Sequence, residues 1–219
     1  MNLSHKIRKC RKCMDLELTG SDRLNTDQKP YVRFDVERKW KPDGVKVLFI
    51  AESPPRDEEQ RYFYNPYVGE KRTNLRKEVL KFLNLEALEE FKDKGYFMVD
   101  TIKCRLNKSK KIKSSLRITS ISKICAEQFL CREIEKLEPH TIFVLGNTAK
   151  KALQRFSEFK ELKEHKVTKD YDENLSGYHV ILCVFPGGQT RKYRNEIKRA
   201  FAKIQQQCAR IHGGVGLSR

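Results

Sequence analysis

The chain contains four short apolar runs, at residues 45–51, 96–102, 141–145 and 179–185. They are rich in β-branched and aromatic residues, and turn-forming residues such as Gly44 and Pro186 stand beside them. Short apolar runs that do not alternate with polar residues are typical of strands buried on both faces of a parallel sheet. The pattern therefore predicts four buried strands.

Segments with helical spacing separate or follow these runs, at residues 74–83, 120–137, 148–156 and 190–211. In the first of them, Leu75, Val79, Leu80 and Leu83 recur at the spacing of one helix face. Strands that alternate with helices predict an α/β fold, here a three-layer α/β/α sandwich around a central, mostly parallel, four-stranded sheet. We interpret residues 1–212 as one domain, with 1–44 as a polar N-terminal arm and 213–219 as a flexible tail.

The predicted strands end in polar or turn-forming segments. These are Glu52-Ser53-Pro54-Pro55, the stretch from Asp100 to Arg105, Gly146-Asn147, and Phe185-Pro186-Gly187-Gly188. Ligands of such sheets bind at the carboxyl ends of the strands, so we expect the four segments to meet in one cleft. The chain has no G-x4-G-K-[ST] loop and no G-x-G-x-x-G turn after a strand, which argues against nucleotide hydrolysis and dinucleotide chemistry.

The charge of the chain indicates the kind of partner it binds. Among 219 residues, 46 Lys and Arg stand against 29 Asp and Glu, a formal net charge of +17. Such an excess favours a polyanion, and DNA is the leading candidate, although a generally solvated basic surface is the alternative. No apolar run reaches the roughly 18 residues of a membrane helix, and the N-terminus shows no secretory signal. We expect a cytoplasmic, nucleoid-associated protein.

The chain has seven cysteines, and this odd number argues against a disulfide framework. Cys10 and Cys13 form a C-x2-C pair, whose spacing suits a zinc or iron–sulfur centre. Either centre needs two further ligands from distant parts of the chain.

The order of the motifs points to a family. After the C-x2-C pair come the strand ending in Glu-Ser-Pro-Pro, the Asn-Pro-Tyr-Val-Gly segment at 65–69, a strand running into Lys103-Cys104-Arg105, and a helix bearing Cys125. Pro139, the strand at 141–145 and a Pro-containing loop after the last strand complete the order. This order resembles the uracil-DNA glycosylase superfamily, specifically its iron–sulfur, family 4-like branch, from Cys10 to about residue 201.

The resemblance implies a metal centre and its ligands. The four cluster cysteines of that branch correspond to Cys10, Cys13, Cys104 and Cys125, with Cys131 as the competitor for the last position. The implied cofactor is a structural 4Fe-4S cluster that anchors the N-terminal arm, and a zinc ion on the same ligands is the alternative.

The resemblance also implies catalytic and base-binding residues. Glu52 occupies the acidic position of the first motif, where a carboxylate stabilises the oxocarbenium-like sugar or orients water. Ser53 and Pro54 belong to the same loop and are expected to contact the base or the DNA. Tyr67 matches the aromatic residue that stacks on the flipped base, with Phe63 or Tyr64 as alternatives.

Two positions depart from the family pattern. Asp100 stands where the family reads uracil with Asn; an ionised Asp only accepts hydrogen bonds, so it suits a base with an exocyclic amine or a role as general base. Phe185 replaces the motif histidine and cannot donate a hydrogen bond to the leaving base. The backbone amides of Gly187 and Gly188 are the expected substitutes, and Gln189 or Arg191 is expected to fill the space of the flipped base.

The sequence therefore leads to two functional hypotheses. The first is a monomeric DNA glycosylase that flips a damaged or deaminated base and hydrolyses its N-glycosidic bond. The alternative is a DNA-binding protein that has kept the fold and the iron–sulfur cluster without the chemistry.

Overall fold

The computed structural model describes residues 3–13, 23–25, 28–55, 62–66, 74–107, 115–189 and 191–213. Its strands are β1 (Arg23–Asn25), β2 (Val47–Ala51), β3 (Tyr96–Asp100), β4 (Arg105–Asn107), β5 (Thr141–Leu145), β6 (Asp172–Leu175) and β7 (Tyr178–Cys183). The main sheet has the order β3-β2-β5-β7-β6, in which only β6 runs antiparallel to its neighbour. Strands β1 and β4 form a separate antiparallel pair.

The α/β class and the mostly parallel sheet are confirmed, but the predicted number of four strands is wrong. The fifth strand, β6, has the sequence DENL, and only Leu175 in it is buried. An edge strand of this kind carries no apolar run, so the pattern that identified β2 and β5, which are buried throughout, could not identify it.

The helical elements are α1 (Leu3–Lys9), α2 (Pro30–Arg33), α3 (Val36–Lys39), α4 (Asn74–Leu83), α5 (Leu88–Asp93), α6 (Ser115–Cys125), a π-helical segment (Ala126–Leu130), α7 (Cys131–Leu137), α8 (Gly146–Leu153), a 3-10 helix (Ser157–Glu164), α9 (Pro186–Gln189) and α10 (Arg194–Gly213). Several bounds differ from the prediction; in particular, α6 begins five residues earlier and α10 begins later, and Pro186–Gln189 forms a helical turn rather than an open loop. Of the predicted tail, Gly213 ends α10 and 214–219 lie outside the described residues.

Helices cover both faces of the sheet. On one face, the rings of Phe49 and Phe143 pack against Phe201 of α10, which stacks on Phe82 of α4. On the other face, α8 lies against β2, β5 and β7 and contacts α6. Right-handed crossovers account for this division, because the connection from β2 to β3 runs one way along the sheet and the connection from β3 to β5 runs back the other way. In the described residues no helix is long and apolar enough to span a membrane.

The N-terminal arm packs on the main core. Leu3 and Ile7 of α1 are buried in it. Glu37 accepts hydrogen bonds from the backbone N–H and hydroxyl of Ser4, at 3.1 and 2.8 Å, and forms an ion pair with Lys136 of α7 at 2.7 Å. Apolar packing and the contacts of Glu37 therefore hold α1 in place, with or without a metal.

Candidate functional site

The register of β2 and β3 brings two carboxylates to one edge of the sheet. Ala51 lies opposite Asp100, so Glu52 follows β2 where Asp100 ends β3. The amide of Thr101 donates to the carbonyl oxygen of Ala51 at 2.8 Å, and the amide of Ile102 donates to the carbonyl oxygen of Glu52 at 2.9 Å. These bonds continue the parallel pairing past the strand ends and fix the two carboxylate-bearing residues relative to each other.

Glu52 is half-buried, and a hydroxyl orients its side chain. Thr148, in the first turn of α8, donates a short hydrogen bond from Oγ1 to Glu52 Oε2. Thr148 is a site residue that the sequence motifs did not identify; α8 begins at Gly146, two residues before the predicted start, and Asn147 is exposed. Its position could have indicated a place in the site, because Thr148 follows a predicted strand end by three residues. Ser53 is half-buried and Pro54 is buried in the same loop.

Asp100 is half-buried at the edge of the sheet. Burial raises its pKa to about 7; the nearby Glu133 carboxylate adds to the rise, while the Lys103 ammonium opposes it. A carboxyl group with this pKa exists in both forms near neutral pH. Its neutral form donates and accepts, as the carboxamide of Asn does, so the substitution of Asp for Asn is smaller chemically than the sequence indicated.

The aromatic segment 62–66 lies in the core. Phe63 is buried against Tyr64 and Phe91, at ring-centroid distances of 5.0 and 5.3 Å. Tyr64 is buried as well, and its hydroxyl accepts a hydrogen bond from the amide of Met98 at 2.6 Å. This packing assigns Phe63 and Tyr64 to the core and not to base stacking. Tyr67, the first choice for stacking, lies outside the described residues.

Arg76 is a basic residue of α4, yet it is buried. Its guanidinium donates to the carbonyl oxygens of Tyr62 and Asn65, at 3.2 and 2.6 Å. Arg76 therefore anchors the aromatic segment to α4.

The end of β7 forms an apolar part of the same edge. Phe185 packs against Gly146, whose φ of +85° requires glycine and where an added Cβ would lie 3.2 Å from Phe185 Cβ. An added Cβ on Gly187 would lie 2.6 Å from the Phe185 ring, so this position also excludes a side chain. Gly188 and Gln189 complete the turn α9, with the Gln189 side chain outside the described part, and Arg191 is exposed beyond it.

Four cysteines line one cavity near the end of β3. Cys10, Cys13, Cys104 and Cys125 line it together with Ile7, Phe129 and the basic residues Arg11, Lys12 and Lys103. Cys131, the competitor for the fourth position, is absent from this lining, and its thiol donates instead to Glu135 on its own helix at 3.3 Å. The π-helical segment between Cys125 and Cys131 belongs to the same continuous helix.

The thiols of this cavity interact with one another. The Cys13 thiol donates a hydrogen bond to Cys125, which raises the pKa of Cys13 and lowers that of Cys125. Burial raises the pKa of Cys104 to about 12. Lys29 is buried, and its ammonium donates to the carbonyl oxygens of Arg8 and Cys10, at 2.8 and 2.9 Å, which fixes the C-x2-C turn. Within the described ranges, no three Cys, His, Asp or Glu side chains are already arranged as a metal-binding group.

A comparison with family models decides the relationship. The model of the Uracil DNA glycosylase superfamily matches residues 39–211. The chain belongs to this superfamily. A search of curated proteins gives no significant match.

Membership of the Uracil DNA glycosylase superfamily gives the protein a DNA glycosylase-like function in general, with DNA as the partner. The match spans the sheet and both carboxylates and begins after Cys10 and Cys13. The matched region includes Cys104 and Cys125 but not Cys10 and Cys13, so the support for a metal centre comes from the cysteine cavity itself.

Proposed function

We propose that this protein flips a damaged or deaminated base out of DNA and hydrolyses its N-glycosidic bond. The observation that carries the proposal is the placement of Glu52 and Asp100 at adjacent strand ends, with Thr148 orienting Glu52. Glycosidic cleavage builds positive charge on the sugar. A carboxylate held at that point stabilises the charge and orients the attacking water, while Asp100 faces the base.

The departing base needs stabilisation as its negative charge grows. Phe185 offers no donor, so we assign this role to the backbone amides of Gly187 and Gly188, in the first turn of α9, where amides lack intrahelical partners. We assign minor-groove contacts to Gln189 and Arg191. Lys192 and Arg194 are exposed beside Arg191 and add charge for the phosphate backbone. Tyr67 remains our candidate for stacking on the base.

We also propose that Cys10, Cys13, Cys104 and Cys125 hold a 4Fe-4S cluster, with a zinc ion as the alternative. The supporting observation is that all four thiols line one cavity, although they come from the turn after α1, the segment between β3 and β4, and the end of α6. Four sulfur donors suit both groups. When bound, the group cross-links the N-terminal arm to the glycosylase domain.

Iron and sulfide analysis of protein purified without air tests the centre. We expect about four iron atoms per chain, loss of iron in Cys125→Ser, and retention in the matched variant Cys131→Ser. Zinc at one atom per chain, with no iron, would select the alternative metal.

Base release tests the activity. The substrates are single- and double-stranded DNA carrying uracil, hypoxanthine or xanthine, and an identically prepared Glu52→Gln protein controls for contaminating enzymes. We expect release of at least one of these bases by the unaltered protein alone.

We further propose that the protein acts as a monomer in the cytoplasm, associated with the nucleoid.

A specific observation favours a second candidate, a DNA-binding protein without chemistry. Phe185 occupies the end of β7 with an apolar ring packed against Gly146 and Gly187. Tight, salt-dependent binding to every DNA in the panel without release of any base would select this candidate and exclude the first.

A further inference from the structure

Lys103 and Glu133 form an ion pair inside the protein. Lys103 Nζ lies 2.5 Å from Glu133 Oε2, and the two side chains are 2% and 0% exposed. The second carboxylate oxygen, Glu133 Oε1, is buried with no hydrogen-bond partner in the described part of the chain. A buried and incompletely satisfied ion pair is poor evidence of a stabilising role, because desolvation offsets the attraction between the charges. The pair therefore calls for another explanation.

Lys103 connects the two parts of the molecule that carry functional groups. Its ammonium also donates to the backbone carbonyl oxygen of Asp100 at 2.5 Å. Its backbone N–H donates to the sulfur of Cys125, and its side chain lines the cysteine cavity. One residue before it, the amide of Ile102 holds the carbonyl oxygen of Glu52. The segment from Asp100 to Cys104 thus reaches both carboxylates and the cysteine cavity.

The same pair acts on the charge of Asp100 with opposite signs. The Lys103 ammonium favours the ionised carboxylate, and the Glu133 carboxylate on α7 disfavours it. The hydroxyls of Tyr62 and Tyr64, from the aromatic segment, also interact with Asp100, and Glu52 lies at the adjacent strand end. Both hydroxyls are neutral near pH 7, since burial raises the pKa of each. Burial is the largest cause of the raised pKa of Asp100, and the ion pair is a charged neighbour that adjusts it. Burial also raises the pKa of Glu133, and the Lys103 ammonium opposes that rise.

We propose that Lys103 and Glu133 are positioning residues of the glycosylase site. The pair holds the end of β3 between Glu52 and the cysteine cavity and adjusts the proportion of Asp100 that presents a proton to the base. This inference rests on the proposed function for its role in base release, but the control of Asp100 by the pair is a property of the folded protein alone.

Infrared titration of the Asp100 carboxyl group tests this without any need for activity. The C=O band of protonated Asp100 is identified as the band lost in Asp100→Asn. We expect the midpoint of its titration to rise in Lys103→Met and to fall in Glu133→Gln, each by about one pH unit or more, because each variant removes one charge close to Asp100. Shifts in the same direction, or no shift in either variant, would overturn the proposal.

Two further variants keep the test decisive. Removing one partner of a buried ion pair can prevent folding, whereas Lys103→Met combined with Glu133→Leu removes both charges at once. If Lys103→Met does not fold, the double variant is compared with Glu133→Gln, because the two differ chiefly in the charge of Lys103. We expect the titration midpoint of Asp100 to be higher in the double variant. Lys150→Met is the matched control, because Lys150 is also a buried lysine that donates to backbone carbonyls, at Leu162 and His165. It should leave the midpoint unchanged.

The pH profile of uracil release from single-stranded DNA provides the functional readout. We expect it to move with the infrared midpoint in each variant. Opposite infrared shifts in a protein that releases no base would support the positioning role and reject the proposed activity. Base release with no infrared shift would reject the positioning role and support the activity.

Discussion

The strand ends of β2 and β3 carry carboxylates, whereas those of β5 and β7 carry a glycine and a phenylalanine. In the first region, Glu52 and Asp100 are half-buried and held by hydrogen bonds to Thr148 and across the strand ends. In the second, the Phe185 ring packs on Gly146 and Gly187 so closely that side chains are excluded there. Under the proposed function, the first region stabilises the sugar and reads the base, and the second offers the departing base little side-chain help.

The largest expected effect comes from the carboxylate region. Glu52→Gln removes the charge that stabilises the sugar while preserving the shape of the side chain. We expect base release to fall by about 10²–10⁴-fold, with DNA affinity nearly unchanged. Single-turnover release and DNA binding measured on the same preparation check this. Glu173→Gln, an exposed change on the remote edge strand β6, is the matched control, and equal rates in the two variants would remove Glu52 from the mechanism.

The apolar region gives the next effect, in the opposite direction. Phe185→His introduces a donor beside the departing base, in a ring no larger than the one it replaces. We expect release to rise by about tenfold to a hundredfold, below the 10²–10³ that a preorganised donor contributes, because this one is not preorganised. Phe185→Leu, which changes the packing without a donor, should not raise the rate. A gain in both variants would attribute the effect to space rather than to hydrogen bonding.

The protonation of Asp100 makes uracil release depend on pH. Burial raises the pKa of Asp100 to about 7, so the neutral form dominates below that pH and is lost as the pH rises through it. Uracil offers an N–H donor and a carbonyl acceptor, which the neutral carboxyl group matches. We expect uracil release to fall about tenfold from pH 6 to pH 8, following the neutral fraction. Asp100→Asn should abolish this fall; a fall that persists in that variant would assign the pH dependence to another group.

Thr148 links the two regions, and its removal should give the smallest effect. It lies in α8 directly after β5, yet its hydroxyl donates to Glu52 of the other region. Thr148→Val keeps the volume and loses this bond, so we expect a several-fold loss of kcat with little change in KM. Thr141→Val, at the opposite end of β5, is the control for a general effect on the strand. A larger loss in the control than in Thr148→Val would contradict the positioning role.

The correct and incorrect predictions have a common physical origin. Strands β2 and β5 could be predicted because continuous apolar runs exclude most other environments. The burial of Lys103 and Arg76 could not be predicted, although both are basic residues of a strongly basic chain. A Lys or Arg side chain is long and flexible, and the local pattern does not reveal whether its charged end reaches solvent or a buried carbonyl oxygen.

The candidate site divides in the same way. Motif order singled out Glu52, Asp100 and the four cysteines, and the structure brings the two carboxylates to adjacent strand ends and the cysteines to one cavity. Phe63 satisfied the same motif reasoning but is buried against Phe91, which lies 28 residues later in the chain. Whether an aromatic ring in a loop is exposed depends on the helix that happens to cover it.

The sequence by itself determined the α/β class, the strands that alternate with helices, the basic charge, the C-x2-C pair and the residue types at the strand ends. These are properties of periodicity, composition and local spacing, which act over a few residues. Only the tertiary structure decided that Thr148 meets Glu52, that Lys103 meets Glu133, and that Asp100 is buried enough to hold its proton near pH 7. Each of these depends on contacts between distant segments, and the energy of a charge depends on everything that surrounds it.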